Sequence, residues 1–185
     1  MERRAVTVDE TKRRILEASL MLHSQRGVTG TSWQDIADAA GVSVGTVYYH
    51  YPTLDDLVPA CSGLGRQERP APTSEIFRGL RGKRARINEL VRALFSHYET
   101  VRGPYAFTLT ERRTVPVLAK LADELLGQYR SLVKDALGET DDETIARVEA
   151  LVDFRVWDSL QERGLSKEVM VETVADWAQH VSSQG

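Results

Sequence analysis

The chain has 185 residues, 42% of them hydrophobic, and a formal net charge of −3 at pH 7. This length allows one or two domains with a sizeable core, and the negative total argues against a protein that coats nucleic acid through bulk positive charge. No apolar run approaches the ~20 residues of a membrane span, the N-terminus lacks a secretory signal, and the single cysteine, Cys61, excludes an internal disulfide and cysteine-based zinc sites. We therefore expect a cytoplasmic protein with no membrane partner, no cofactor and no metal.

The first predicted helix begins at a Thr-x-x-Glu capping box at Thr7 and ends near Arg26, before Gly27. Residues 1–6 are expected to form a mobile arm. A second helix, from about residue 32 to residue 40, follows a Thr-x-x-Gln capping box at Thr31. These features predict two helices near the N-terminus, with their apolar positions spaced for burial on one face.

A tight turn and a third helix follow. Gly41 is suited to the left-handed conformation that closes a helix. Ser43 can cap a helix from Val44 to His50, which Pro52 ends. Two short helices joined by a glycine-containing turn form a helix-turn-helix unit, whose second helix enters the major groove of DNA.

This stretch resembles the DNA-binding region of the tetracycline-repressor (TetR) family of bacterial transcription regulators. The resemblance implies an all-α fold of about nine helices, with a three-helix helix-turn-helix domain at residues 7–52 and a helical ligand-binding and dimerisation domain at residues 53–185. The matching residues are Ile36, Ala37, Ala40, Gly41, Val42, Ser43, Gly45, Thr46, Val47, Tyr48, His50, Tyr51 and Leu57.

The resemblance also implies which side chains face DNA. Gln34 can pair with adenine through two hydrogen bonds, and Val44 offers an apolar contact to a thymine methyl group. Where the family usually has a phosphate-binding lysine, this chain has Leu54, so phosphate contact is expected to rely on the helix N-terminus, the N-terminal arm or the later basic loop. The predicted DNA-binding residues are Thr31, Trp33, Gln34, Val44, Gly45, Thr46, Tyr48, Tyr49 and His50.

Beyond the helix-turn-helix, Thr53 is expected to cap a fourth helix that Pro59 and later glycines weaken. Residues 62–82 are expected to form a loose connection with a turn near residues 74–80. The segment from 61 to 86 is rich in arginine, and a solvated loop is favoured over contact with DNA or an anionic ligand. The remainder is predicted to be helical, with a break at residues 102–104 and single helices at 143–163 and 167–182.

The last two helices carry apolar stripes that a second copy of the chain could cover. In the resembled family these helices pair across a two-fold axis, and the alternative is that both stripes close an intramolecular core. The predicted dimer-interface residues are Val152, Val156, Ser159, Met170, Val174, Trp177, Ala178 and Val181.

A small-molecule pocket in the C-terminal domain is a second implication of the resemblance. Arg155 lies between apolar residues of a predicted buried helix and would need a partner there, for which Asp158 is the nearest acid in the sequence. Aromatic residues at helical spacing are also typical of an ordinary core. The predicted pocket residues are Phe95, Tyr98, Tyr105, Phe107, Tyr129, Phe154, Arg155, Trp157 and Asp158.

Together these features predict a DNA-binding transcriptional regulator, namely a ligand-responsive homodimeric repressor. Its expected partners are a pseudo-palindromic double-stranded DNA operator, a second copy of the chain and a small-molecule effector. The alternative is a helix-turn-helix regulator without a small-molecule ligand, either constitutive or protein-responsive. An enzyme is disfavoured, because the sequence lacks His-Glu-x-x-His, a phosphate-binding glycine loop and Gly-x-Ser-x-Gly.

Overall fold

The computed structural model describes residues 2–138 and 140–184. Within these ranges the fold is all-α, as expected, and consists of nine α-helices and one 3-10 helix at Ser74–Phe77. The α-helices are α1 (Glu2–Arg26), α2 (Trp33–Ala40), α3 (Val44–His50), α4 (Leu54–Glu68), α5 (Lys83–Glu111), α6 (Pro116–Leu137), α7 (Asp142–Leu151), α8 (Phe154–Glu162) and α9 (Lys167–Ser182).

The helices divide into two compact units. The first comprises Met1–Pro70 with Val101–Asp123, and the second comprises Ala71–Thr100 with Glu124–Gly185. Both α5 and α6 therefore contribute residues to each unit. A functional division at residue 52 stays a prediction.

The first unit holds the helix-turn-helix on two apolar clusters. At 8 and 7 residues, α2 and α3 are too short to be stable alone, so their stability comes from burial, at about 1.5–3 kcal/mol for each large apolar side chain. One cluster joins helices α1, α2, α3 and α4, and the other joins the α1–α2 loop to α4 and the start of α6. Their buried members are Ile15, Ala18, Ile36, Ala37, Ala40, Val47 and Leu57, and Val28, Val58, Val115, Val117 and Leu118.

Two predicted boundaries near the N-terminus are wrong. Helix α1 begins at Glu2, so Thr7 lies inside the helix rather than at its N-cap. Helix α4 continues through Pro59 to Glu68. Pro59 lies in the second turn, where it removes one backbone bond, and the buried face of the helix (Leu57, Val58 and Cys61) offsets this loss. The connection is therefore shorter than expected, although its predicted turn is present as the 3-10 helix.

Helix α5 also passes through a predicted break. Its 29 residues include Gly103 and Pro104. A Cβ atom at Gly103 would lie 2.6 Å from the Ser24 carbonyl oxygen. The glycine therefore allows α5 to approach the backbone of α1 closely, and it does not end the helix.

The predicted single helix at residues 143–163 is instead two helices. The break falls at Val152 and Asp153, because the Asp153 side chain accepts a hydrogen bond from the Arg155 N–H and caps α8. The buried Tyr98 hydroxyl donates to the Val152 carbonyl oxygen at 3.0 Å. This bond satisfies a buried carbonyl at the break.

The basic segment is partly used inside the second unit. Lys83 Nζ lies 3.4 Å from the Ser182 carbonyl oxygen, and Arg86 donates to the Asp135 carbonyl oxygen at 2.9 Å. Both carbonyls belong to the last turns of helices, where a positive charge is favourable. These two cations therefore stabilise the ends of α9 and α6. None of the helices in the described ranges combines the length and apolarity needed to span a membrane.

Candidate nucleic-acid interface

Helix α2 is capped one residue later than predicted. The Ser32 hydroxyl accepts from the Asp35 N–H, and the Asp35 carboxylate accepts from the Ser32 N–H, which forms a reciprocal capping box. These bonds to Ser32 hold the pKa of Asp35 below its usual value, with a smaller contribution from Arg26 at 3.0 Å. The Thr31 hydroxyl donates to the Gly27 carbonyl oxygen instead. The predicted Thr31–Gln34 box is therefore wrong, and Thr31 stabilises the preceding loop.

The turn between α2 and α3 depends on a residue that the sequence did not single out. Gly41 has φ +64°, as predicted for a helix-closing glycine. Arg14, on α1, donates to the carbonyl oxygens of Ala40 and Gly41, the latter at 2.8 Å. These bonds satisfy orphan carbonyls at the end of α2 and fix the turn on α1. The signal in the sequence was only the basic run at residues 12–14.

Helix α3 presents its polar side chains to solvent. Ser43 caps the helix by accepting from the Thr46 N–H, and the two hydroxyls lie 2.8 Å apart. Val47 is buried, whereas Tyr48 and Tyr49 are 46% and 81% exposed. A large exposed tyrosine pair on a rigidly held short helix is typical of a binding surface.

The fold brings several predicted DNA-contacting residues together. The rings of Trp33 and Tyr48 lie 4.9 Å apart, so the start of α2 and the middle of α3 form one surface. Tyr49 contacts the His50 ring at 5.1 Å. The Gln34 amide donates to Asp38 at 2.7 Å, which fixes the side chain but leaves it exposed. We define the reading surface as four exposed residues of α2 and α3 (Gln34, Gly45, Tyr48 and Tyr49) together with four half-buried ones (Trp33, Val44, Thr46 and His50).

Leu54 has a structural reason to be apolar. It is partly buried against the cluster that contains Val28, Val58 and Leu118. Thr53 and Asp56 form a reciprocal capping box at the start of α4. A lysine at position 54 would have to leave this apolar contact to reach a phosphate.

The same region matches a known protein family. Residues 15–61, from α1 to α4, match the profile described as "Bacterial regulatory proteins, tetR family". The chain is therefore similar to this family over residues 15–61. Among curated tetR-like relatives, it is 48% identical over 48 residues to the HTH-type transcriptional regulator AcrR of Shigella flexneri, a segment that covers 26% of this chain and 22% of that protein. It is also 28% identical over 159 residues to the HTH-type transcriptional regulator PksA of Bacillus subtilis, which covers 79% and 78% of the two chains.

A likeness in fold to a solved structure extends through the rest of the molecule. A transcriptional regulator from Saccharomonospora viridis, solved in complex with choline, has a TM-score of 0.70 over 93% of this chain and 97% of its own. The two sequences are 22% identical. This likeness concerns the fold.

The residues of the predicted pocket separate into two groups. Five form a buried aromatic cluster in the second unit, in which the Tyr98 ring lies 5.5 Å from Phe154, 5.8 Å from Tyr129 and 5.9 Å from Trp157, and Phe95 completes the set. Tyr105 and Phe107 belong to the first unit. The predicted pocket residues are therefore divided between the two units, and a single pocket stays a prediction.

The two charged pocket candidates were also misplaced. Arg155 is exposed, with its guanidinium paired to Asp153 at 2.8 Å. The prediction of a buried arginine is therefore wrong, because the break before α8 turns Arg155 outward. Its pairing with Asp158 stays a prediction. Asp158 is half-buried on α8.

The predicted dimer face is also only partly exposed. Val152, Met170, Val174 and Ala178 are at most 3% exposed within the single chain, and α9 packs against α7. These four side chains belong to the interior of the second unit, so their assignment to a dimer interface is corrected. The remaining members, Val156, Ser159, Trp177 and Val181, stay accessible, and Trp177 is 47% exposed.

Beside the helix-turn-helix lies a buried polar group that sequence reasoning missed. Glu111, at the end of α5, accepts a hydrogen bond from the Val28 N–H at 2.8 Å. His23 and Cys61 are buried nearby, with the Cys61 sulfur 3.7 Å from His23 Nδ1. Burial raises the pKa of Cys61 to about 11, so the thiol is protonated at neutral pH. Within the described ranges, no grouping of His, Cys, Asp and Glu has the geometry to hold a metal ion.

His23 makes stability depend on pH. Burial lowers the pKa of His23 to about 4, and the nearby Glu111 charge opposes this shift. The unfolded chain therefore takes up a proton near pH 6.5, before the folded chain does, so stability falls as the pH decreases from 6.5 to 4. We expect this group to remove about 3 kcal/mol of folding free energy by pH 4.

Denaturant unfolding of the His23→Gln variant at a series of pH values from 7.5 to 4 checks this expectation. The free energy of unfolding is plotted against pH for both proteins. The difference between the two slopes reports His23 separately from the carboxylates, which titrate in both proteins. Parallel curves for the two proteins would contradict the buried neutral histidine.

Proposed function

We propose that the protein is a dimeric DNA-binding transcriptional regulator that acts in the cytoplasm on a pseudo-palindromic operator. The observation that carries this proposal is the reading surface, an exposed aromatic and hydroxyl-bearing face on a helix-turn-helix that capping and packing fix in place. The family match over residues 15–61 supports the same function.

The proposed DNA contacts follow the geometry of the two helices. Val44, Gly45 and Tyr48 would approach base edges from α3, and Gln34 would approach from α2. The remaining hydroxyl, indole and imidazole groups are suited to the sugar–phosphate backbone. The Thr31 side chain is left out, because its hydroxyl already donates to the Gly27 carbonyl oxygen.

Selection from random double-stranded DNA with the full-length protein tests the function. We expect enrichment of one pseudo-palindromic sequence whose half-sites lie about one helical turn apart, or a multiple of it. Titration of fluorescent enriched DNA, with scrambled DNA of equal length as control, then gives the specificity ratio. Equal affinity for the two DNAs at physiological salt would reject the proposal.

The dimer requires the accessible part of α8 and α9. Trp177 is the largest exposed apolar side chain there, and large aromatic residues commonly anchor interfaces. Replacing Trp177 with Asp is expected to dissociate the dimer and to abolish operator binding, because one half-site alone binds weakly.

Sedimentation measurements over a concentration series check this dimer prediction. Met21→Asp is the matched control, because Met21 is also an exposed apolar residue but lies on α1. A dimer that persists in the Trp177 variant would exclude this face.

We further propose that a small-molecule effector controls the regulator. The fold accommodates choline in the Saccharomonospora protein, and the aromatic cluster around Tyr98 is the apolar surface that an opened pocket would offer. The alternative, a regulator without a small-molecule ligand, is favoured by the tight burial of the same cluster, since Tyr98 and Trp157 are each 1% exposed.

Thermal-shift screening of the dimer against metabolites and antibiotics, followed by operator release, separates these two possibilities. A compound that both stabilises the protein and raises its Kd for the operator supports regulation by a small-molecule effector. The absence of such a compound, together with operator binding that responds to a protein partner, supports the alternative.

A further inference from the structure

The loop between α1 and α2 is held by one carboxylate from a distant part of the chain. Glu111 accepts from the Val28 N–H at 2.8 Å, from the Thr29 hydroxyl at 2.5 Å and from the Thr29 N–H at 3.4 Å. Its side chain is 8% exposed. These bonds join residues that are 82 and 83 positions apart in the sequence.

The surroundings leave the carboxylate little freedom. Gly27 has φ +77°, and a Cβ atom there would lie 2.2 Å from Glu111 Oε1 and 2.9 Å from the Phe107 ring. The Thr31 N–H donates to the Val28 carbonyl oxygen, and the Thr31 hydroxyl donates to Gly27. Loop and carboxylate therefore form one packed and hydrogen-bonded unit, which we call the Glu111 anchor (Gly27, Val28, Thr29 and Glu111).

We propose that Glu111 is a positioning residue for DNA recognition, which acts through the α1–α2 loop. Helix α2 begins at Trp33, four residues after Thr29, and Trp33 contacts Tyr48 of the reading surface. Hydrogen bonds to base edges weaken steeply when their angles deviate from the favoured range. A change in the orientation of α2 would therefore lower the affinity of the protein for its operator even when the chain stays folded. The inference rests on the proposed DNA-binding function.

The buried position also explains why a carboxylate is used. The loop presents two backbone N–H groups and a hydroxyl within one small volume, and a carboxylate accepts several such bonds at once. Bonds to a charged acceptor are stronger than those between neutral groups. Glutamine at position 111 would keep one acceptor oxygen but would direct an NH2 group at some of these donors.

The experiment compares operator binding with folding in the full-length dimer. We expect Glu111→Ala to raise the operator Kd at least about tenfold and Glu111→Gln to raise it less, measured by fluorescence anisotropy on the selected operator below the melting temperature of every variant. Thr29→Val removes only the hydroxyl bond and is expected to give a smaller increase. Its effect should largely disappear in the Glu111→Ala background, because the two residues share one interaction.

Leu94→Ala is the stability control. Leu94 is fully buried in the second unit, so its truncation lowers the melting temperature without changing the loop. If the Glu111 variants lower the melting temperature as Leu94→Ala does but keep the wild-type operator Kd, Glu111 is only structural and the inference is overturned. Should Glu111→Ala fail to fold, additive effects of Thr29→Val and Glu111→Gln on the operator Kd would overturn it equally.

Failure of the proposed function gives a different result. In that case the wild-type protein itself selects no sequence and does not distinguish operator from scrambled DNA. The inference about Glu111 fails when the wild type binds specifically and the anchor variants bind equally well.

Discussion

Replacing Tyr48 with alanine is expected to weaken operator binding about a hundredfold and to leave the dimer intact. Tyr48 is nearly half exposed on α3, and its ring contacts Trp33 at 4.9 Å. The substitution removes both the proposed contact to DNA and the packing of the ring against the Trp33 indole. A loss of about 1.4 kcal/mol at each half-site corresponds to a factor of ten, and a dimer loses it twice. Anisotropy titrations on the selected operator measure the effect.

Tyr48→Phe separates the two contributions of the side chain. The phenylalanine ring can still pack on Trp33 but has no hydroxyl. The affinity for the operator that this variant loses therefore reports the proposed hydrogen bond to DNA alone. Both variants should elute as dimers in size-exclusion chromatography, because Tyr48 lies far along the chain from α8 and α9. If Tyr48→Ala binds the operator with unchanged affinity, the proposed placement of α3 in the major groove is wrong.

The local signals in the sequence predicted the helix-turn-helix well. Gly41 takes the left-handed conformation and Ser43 caps α3, because both features depend on residues a few positions apart. The errors at α2 and α4 have different causes. Ser32 with Asp35 competes with Thr31 for the cap, and burial overrides the helix-breaking tendency of Pro59.

Features that depend on distant residues were not predictable in the same way. Arg14 and Glu111 carry no local pattern, since their partners lie 26 to 83 positions away. The apolar stripes predicted for the dimer lie partly inside the second unit, because periodicity shows that a helix has an apolar face but not what covers it. On α9, the side chains of Met170 and Val174 are buried inside the second unit, whereas that of Trp177 is exposed.

The Glu111 anchor can also be tested through stability alone. Gly27→Ala is expected to lower the free energy of unfolding by about 2–5 kcal/mol. A left-handed φ costs a residue with a Cβ roughly 1–2 kcal/mol, and overpacking in a filled site adds about 1–3 kcal/mol. Here the added methyl would meet the Glu111 carboxylate at 2.2 Å, which would displace the acceptor for Val28 and Thr29.

Two glycines divide this expected loss into its parts. Gly138 also has a positive φ of +73°, but nothing lies within 4 Å of its Cβ position. Gly138→Ala is therefore expected to lower the free energy of unfolding only by the cost of the left-handed φ. Gly63 lies inside α4 with equally open space, and Gly63→Ala should stabilise the protein by about 0.5–1 kcal/mol through helix propensity. Urea unfolding of the three variants gives the comparison. If Gly27→Ala costs no more than Gly138→Ala, the loop has room to move and Glu111 does not hold it rigidly.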